Sequence, residues 1–221
     1  HPDAKVISID IQSPEIADVF AQEKFDVLNH HAAQIDVRVS VANPVMDAQT
    51  NIVGSLNLYQ AAVSNGVKKI VLASSGGTVY GEQTGFPCDE SHSTWPLSPY
   101  GVAKLSNEMY LNALKFTHGV EYVALRYSNV FGPRQNPHGE AGVIAIFLHK
   151  LLRGEQPVIN GDGLQTRDYV FIEDAVRANV LALNDDVTGA YNISTAVETN
   201  VVEIFDALVS ATGNNMQRIH G

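Results

Sequence analysis

Apolar and polar positions along the chain follow two rhythms: short β-branched runs, and longer stretches with apolar residues three or four apart. Lys5–Ile9 (KVISI) predicts a short strand ending at Asp10. Ser13–Glu23 predicts a helix, with Ser13 as N-cap, Pro14 in its first turn and glutamates at 15 and 23. Phe25–Leu28 is a short strand-like run before polar Asn29-His30-His31. Over Val45–Asn65, Ile52, Leu56, Tyr59 and Val63 keep helical spacing as far as Gly66. Lys69–Ala73 (KIVLA) predicts a buried strand, Ser98–His118 a helix ending at Gly119, and Tyr122–Leu125 another strand. Further helices are predicted over Gly142–Leu152 (up to Gly154), Glu173–Leu183 and Val201–Ala211, with a short extended run at Pro157–Ile159.

Strand–helix–strand repetition of this kind predicts an α/β fold: a doubly wound parallel sheet with helices on both faces. In such sheets ligands bind beyond the carboxyl ends of the strands, so the residues just after each strand matter most. The pattern loosens past about residue 130, at the Gly- and Pro-rich stretch Gly132–Gly142. Residues 1–130 are therefore expected to form the core and 131–221 a smaller substrate-side lobe, with 167–195 returning to the core.

Composition narrows the options. Formal net charge is -10, which offers no field for phosphate backbones or anionic lipid and argues against nucleic-acid or membrane-surface partners. No run approaches the roughly 18 apolar residues of a membrane helix. The single cysteine, Cys88, excludes an internal disulfide framework and a Cys-based zinc site, and a reducing, cytoplasmic location is expected. The start, His1-Pro2-Asp3, is neither a methionine start nor a signal peptide.

The most informative residues are Tyr100-Gly101-Val102-Ala103-Lys104 at the start of a helix. Residues i and i+4 share a helix face, so phenol and ammonium can point into one cleft. A free phenol is a poor base at neutral pH, and a nearby cation lowers its pKa. The pair follows a strand ending Ser74-Ser75-Gly76-Gly77-Thr78-Val79-Tyr80-Gly81. Other candidates have plainer readings. His30-His31 lacks a third metal ligand, and adjacent side chains diverge on an extended chain, so no metal is expected. Cys88 reads as inert packing, Asp89-Glu90 as a solvated loop, and Asn192-Ile193-Ser194 as a chance glycosylation sequon.

With Arg126–Arg134 (RYSNVFGPR), Asp10-Ile11, 30–43 (HHAAQIDVRVSVAN), 51–54 (NIVG) and 166–170 (TRDYV), these motifs resemble the extended short-chain dehydrogenase/reductase family, and within it the UDP-glucose 4-epimerases most. The resemblance covers nearly the whole chain. It implies a Rossmann-like sheet, NAD as cofactor, a UDP-sugar as substrate, and a homodimer formed through a four-helix interface.

It also implies roles. Tyr100 is the acid/base, and Lys104 holds the nicotinamide ribose and depresses the Tyr100 pKa. Asp10 and Ile11 lie at the adenine; His31, Ala32 and Ala33 line the pyrophosphate and ribose; Asn51 and Ser128 complete the cofactor contacts. Asn129 and Arg167 bind the nucleotide diphosphate, and Gly142, Val143, Val158, Ile159 and Asn160 the uridine end. Gly76 stands where the family usually has Ser or Thr, leaving Ser75 or Thr78 to bind the reacting hydroxyl. Gly77-Thr78 supplies no carboxylate of the sugar-dehydratase or decarboxylase kind, which favours epimerisation at C4. UDP-glucuronate or UDP-N-acetylhexosamine epimerisation, and a silent NAD-fold sensor or scaffold, are the alternatives.

No glycine-rich fingerprint follows a strand, and Gly161-Asp162-Gly163 lies in a late turn. By the resemblance the first βα unit is missing, as is a C-terminal part. These 221 residues alone are expected to be marginally stable and neither to hold NAD tightly nor to epimerise UDP-sugars.

Overall fold

The strand ladder runs β1 (Val27–His30), β2 (Lys69–Ser75), β3 (Glu121–Tyr127) and β7 (Gly189–Ile193), in that order and all parallel. The protein is seen as a computed structural model that describes residues 3–138 and 142–221. His1-Pro2 and part of the 132–142 stretch therefore lie outside the described residues. The central strands are built from residues that fit a pleat buried on both faces: Ile70, Val71, Leu72, Val123 and Ala124 have no exposed surface.

One face of the sheet is covered by α1 (Ile16–Glu23), α4 (Gly54–Ser64) and α6 (Pro99–His118), which bury Phe20, Leu58, Tyr59 and Leu111 against Ile70 and Leu72. Each such side chain contributes roughly 1.5–3 kcal/mol. On the other face α8 (Ile172–Leu181) packs Ala178, and Ala182 just beyond it, against Val71, Val123 and Leu125. A third cluster joins α7 (Val143–Leu152) and α9 (Val201–Thr212) through Phe147, Ile159, Val201 and Phe205. Short ladders lead towards it: β4 (Asn129–Phe131) with β6 (Tyr169–Phe171), and β5 (Thr166–Arg167) with β8 (Thr199–Asn200).

Several boundaries differ from the sequence reading, each for a local reason. Lys5–Ile9 pairs with no strand, and Val6 stays exposed while Ile9 packs on the core. Ser13 does not cap α1; its Oγ accepts from Glu15 N–H and its carbonyl from Ile16 N–H, making a turn first. The Val45–Asn65 helix is interrupted. Regular turns in α3 (Pro44–Ala48) and α4 flank a π turn at Gln49–Val53, where Gly54 N–H reaches back five residues to Gln49. A further short helix, α2 (Val37–Ala42), is capped by Asp36 accepting from Arg38 and Val39 N–H. Pro157–Ile159 forms only an isolated bridge, Ile159 with His220.

Candidate functional site

At the carboxyl end of β2 the chain turns directly into α5 (Gly76–Val79). A Cβ on Gly76 would lie 3.1 Å from the Arg126 carbonyl, so glycine is what lets this turn rest on β3. α5 in turn rests on the first turn of α6. A Cβ on Gly101 would come within 2.7 Å of the Thr78 carbonyl, and Thr78 Cβ is 3.2 Å from the same point. Gly101 of the Tyr-Gly-Val-Ala-Lys run thus lets Thr78 lie against the first turn of α6. Ser98 starts α6 by accepting from Gly101 N–H at 3.1 Å.

Tyr100 and Lys104 share a face, with Lys104 Nζ 5.6 Å from the Tyr100 ring centroid. Lys104 is 5% exposed and donates one proton to the Ala73 carbonyl at 2.8 Å. Burial pushes the Lys104 ammonium down to about 8, and the Asp47 carboxylate opposes that shift. The Tyr100 phenol moves opposite to expectation: burial, then the Asp47 charge, pushes it up to about 12. The cost of burying a phenolate dominates, so the ligand-free phenol keeps its proton at neutral pH.

Asp47 is the residue that sequence reasoning missed. Its side chain is 1% exposed, and Oδ1 accepts from Gln34 Nε2 at 3.0 Å and Asn51 Nδ2 at 2.9 Å. Only helical phase could have flagged it, and the π turn hides that phase.

A cavity of about 670 Å³ opens beyond the strand ends and brings Ser128, Asn129 and Arg167 together with Gly76-Gly77 and Arg126. Asn129 Nδ2 donates to the Asp168 carbonyl at 3.1 Å, and Arg167 Nη1 to Thr166 O at 2.7 Å, leaving most Arg167 donors facing outward. Tyr100, Lys104, Ser75 and Thr78 do not line it, although Gly76-Gly77, between Ser75 and Thr78, do.

Other expected contacts are rearranged. Asn51 spends its amide on the protein: Gln34 N–H donates to Oδ1, and Nδ2 donates to the Gln34 carbonyl and Asp47. It holds the 31–36 loop in place of touching a ligand. Ile159 has no exposed surface and belongs to the third core cluster, so its side chain cannot meet a nucleotide. Val158 and Asn160 are exposed on either side of it, and Gly142 caps α7 ahead of Val143; none of the four lines the cavity. Ile11 packs over Gly54, whose missing side chain leaves it room, while Asp10 stays exposed and accepts from Gln12 N–H. His31 and Ala32 are exposed and Ala33 is half-buried; His31 Nε2 bonds Asn179 Oδ1 at 3.1 Å. His30 points inward to Ser55 Oγ at 2.8 Å, opposite to His31. Glu90 is more than a solvated loop residue, because its Oε1 accepts from Asn192 N–H, and the Cys88 backbone carbonyl accepts from Asn192 Nδ2.

Two features suit a dinucleotide. Among the described residues, the buried Lys104 ammonium spends one of three protons on protein, and Ser128 Oγ is buried without a partner. A vicinal diol and an amide could satisfy both.

Comparison with known proteins defines the class. Residues 1–194 match the model of the NAD dependent epimerase/dehydratase family, and the chain belongs to that family. Its fold is the α/β Rossmann-like fold of these NAD-using enzymes. The chain is 43% identical over 222 residues to a putative UDP-glucose 4-epimerase of Methanocaldococcus jannaschii, covering 100% of this chain and 72% of that protein. The crystal structure of UDP-glucose 4-epimerase with UDP-glucose from Thermotoga maritima superposes with a TM-score of 0.96 at 42% identity, over 100% of this chain and 72% of that one. The Thermus thermophilus UDP-glucose 4-epimerase complex with NAD gives 0.89 at 38% identity, over 96% and 70%. Among curated UDP-glucose 4-epimerase relatives the chain spans from 58% to 72% of their length.

Proposed function

We infer that the protein interconverts UDP-glucose and UDP-galactose by inverting C4. The observation that carries this reading is the placement of Asn129 and Arg167 in one cavity with Gly76-Gly77, at the end of the strand whose Ala73 carbonyl holds Lys104 and whose following Thr78 abuts the first turn of α6. NAD, when bound, supplies a reversible hydride acceptor for the sugar carbon. Lys104 would hold the ribose diol, and Ser128, Asp10 and the backbone of His31–Ala33 would line the rest of the cofactor. Arg167 anchors the diphosphate by charge-assisted hydrogen bonds, and Asn129 orients it.

Tyr100 takes the C4 hydroxyl proton as the alcohol becomes a ketone and returns it on reduction. Because burial holds its phenol near 12, the acid direction is ready in the free protein. The base direction requires added positive charge near the phenol to offset its burial and the Asp47 carboxylate. Of the two hydroxyls at the strand end, Thr78 is the better partner for the reacting oxygen. Among the described residues its Oγ1 is buried without a hydrogen bond, and Thr78 abuts Gly101 in the first turn of α6, whereas Ser75 lies at the helix start without a side-chain cap.

Exposed Val102, Met109 and Phe116 recur every seven residues on α6, and Val45 and Val53 are exposed on the neighbouring helix. Such a stripe supports a homodimer formed helix to helix. The lone cysteine is in keeping with a reducing cytoplasm. Among the described residues, no helix is long and apolar enough to cross a membrane. The 1–130 core and the 131–221 lobe, with 167–195 returning to the sheet, divide the cofactor and nucleotide-sugar ends.

The test is Tyr100→Phe assayed with UDP-galactose. UDP-sugar binding should survive while turnover falls about 10²-fold or more, the usual worth of a positioned acid/base. Turnover within a few-fold of wild type removes Tyr100 from the chemistry.

A further inference from the structure

Arg126, Tyr80 and Asn192 line the cavity; Arg126 is 7% exposed and grips Glu108 on α6 through Nε and Nη2, the shortest contact being 2.7 Å. A guanidinium can only donate. Its Nη1 donates to the Tyr80 phenol oxygen at 2.8 Å, so the Tyr80 proton must go elsewhere, and it goes to Asn192 Oδ1 at 2.7 Å. With Oδ1 taken, the amide nitrogen of Asn192 has one direction left, and it donates to the Cys88 carbonyl at 2.9 Å. The Asn192 backbone N–H donates to Glu90 Oε1 at 2.6 Å. A buried ion pair thus dictates, donor by donor, which way an amide at the end of β7 faces.

That amide holds one wall of the cavity. Phe86, Pro87 and Cys88 line the same space as Asn129 and Arg167. The remaining bonds of this wall are local, such as Ser91 to Asp89. Among the described residues, the hydrogen bonds tying 86–90 to the sheet run through Asn192. Phe86 is 66% exposed and gains little hold from packing.

We propose that Asn192, oriented by Arg126 and Tyr80, is the positioning residue that fixes the 86–90 wall and thereby selects hexoses without bulky substituents. At the nucleotide end, Asn129 and Arg167 are held by the Asp168 and Thr166 carbonyls in place of Asn192. This inference rests on the UDP-sugar reading above and extends it to sugar selectivity.

The experiment compares wild type with Asn192→Asp and Tyr80→Phe. Asp keeps the acceptor for Tyr80 but loses the donor to Cys88; Phe leaves the amide free to turn. KM for UDP-galactose should rise at least about 5-fold in both, with kcat within about 2-fold. Affinity for UDP alone should stay within about 2-fold. The kcat/KM ratio of UDP-N-acetylgalactosamine to UDP-galactose should rise about 5-fold or more as the wall relaxes. Combining the two substitutions should add little, since both release one wall. An unchanged selectivity ratio in both variants overturns the proposal. So does an equal loss on UDP and both sugars accompanied by early melting, which marks a merely structural role. Wild-type protein that binds UDP yet converts neither sugar defeats the functional reading first, and the selectivity role with it.

Discussion

Replacing Glu108 with Gln removes one charge from the core while keeping the side chain's shape. Glu108 and Arg126 are 6% and 7% exposed, and the carboxylate also accepts from Ser74 Oγ. Burial alone would lower the Arg126 pKa, but the Glu108 hydrogen bonds and charge outweigh it and hold the guanidinium above its ordinary value. With Gln in place, Arg126 cannot shed its proton, so an uncompensated cation stays buried. Breaking a buried pair in this way costs about 3–5 kcal/mol. In a domain of this size each kcal/mol lowers Tm by about 2–4 °C, which predicts a drop of roughly 6–20 °C. Urea titration followed by circular dichroism should show a lower midpoint at constant slope. The companion variant, Glu108→Leu with Arg126→Met, removes both charges and should recover most of the loss. A single substitution costing under about 1 kcal/mol, or a double variant no better than the single, would refute the reasoning.

Three further outcomes are expected. His30 is pushed by burial, then by Lys104 and His31, from 6.5 down to about 4. The unfolded chain therefore binds a proton that the folded one refuses between those values. Stability should fall as pH drops from 6.5 to 4, by about 3 kcal/mol at about 1.4 kcal/mol per pH unit, and His30→Gln should flatten that slope in pH-dependent urea melts. Lys69 donates to the Ala182, Asn184 and Val187 carbonyls just beyond α8; Lys69→Met should cost about 2–3 kcal/mol and speed amide exchange over 182–188, and unchanged exchange there would remove its capping role. Arg167→Ala should weaken UDP binding by about 1.5–3 kcal/mol, or about 10- to 150-fold, with equal calorimetric affinities telling against the phosphate assignment.

The sheet was legible because Lys69–Ala73 and Tyr122–Leu125 carry β-branched runs too short and too apolar for surface helices. Ser98 and Gly119 marked the ends of α6 well, since both act through local backbone chemistry. Lys5–Ile9 misled because a β-rich composition says nothing about whether a neighbour exists to pair with. β7 went unread: Gly-Ala-Tyr-Asn-Ile is weakly apolar and earns its place by packing beside β3. At the site, motif spacing found Tyr100 and Lys104, which lie on one regular helix. It could not find the Arg126–Tyr80–Asn192 chain, whose members are 46 and 112 residues apart and meet only across the sheet. Nor could it show that Asn51 faces Gln34 and not a ligand.

The π turn at Gln49–Val53 makes the long helix a rotary joint. A regular helix advances about 100° per residue, so one extra residue in a turn re-aims everything before it relative to everything after. Leu58 and Tyr59 stay clamped in the core while Asp47, on the other side of the joint, faces Gln34 and Asn51. The Asn51 carbonyl at the joint accepts from both Ser55 Oγ and Asn107 Nδ2, which latches the offset to α6. Deleting a single residue there would not shorten the helix so much as swing Asp47 away from the Tyr100–Lys104 pair, with the hydrophobic half left in place. Insertions and deletions in this segment therefore act as an angular adjustment of the site's electrostatics, separable from the packing that keeps the domain folded.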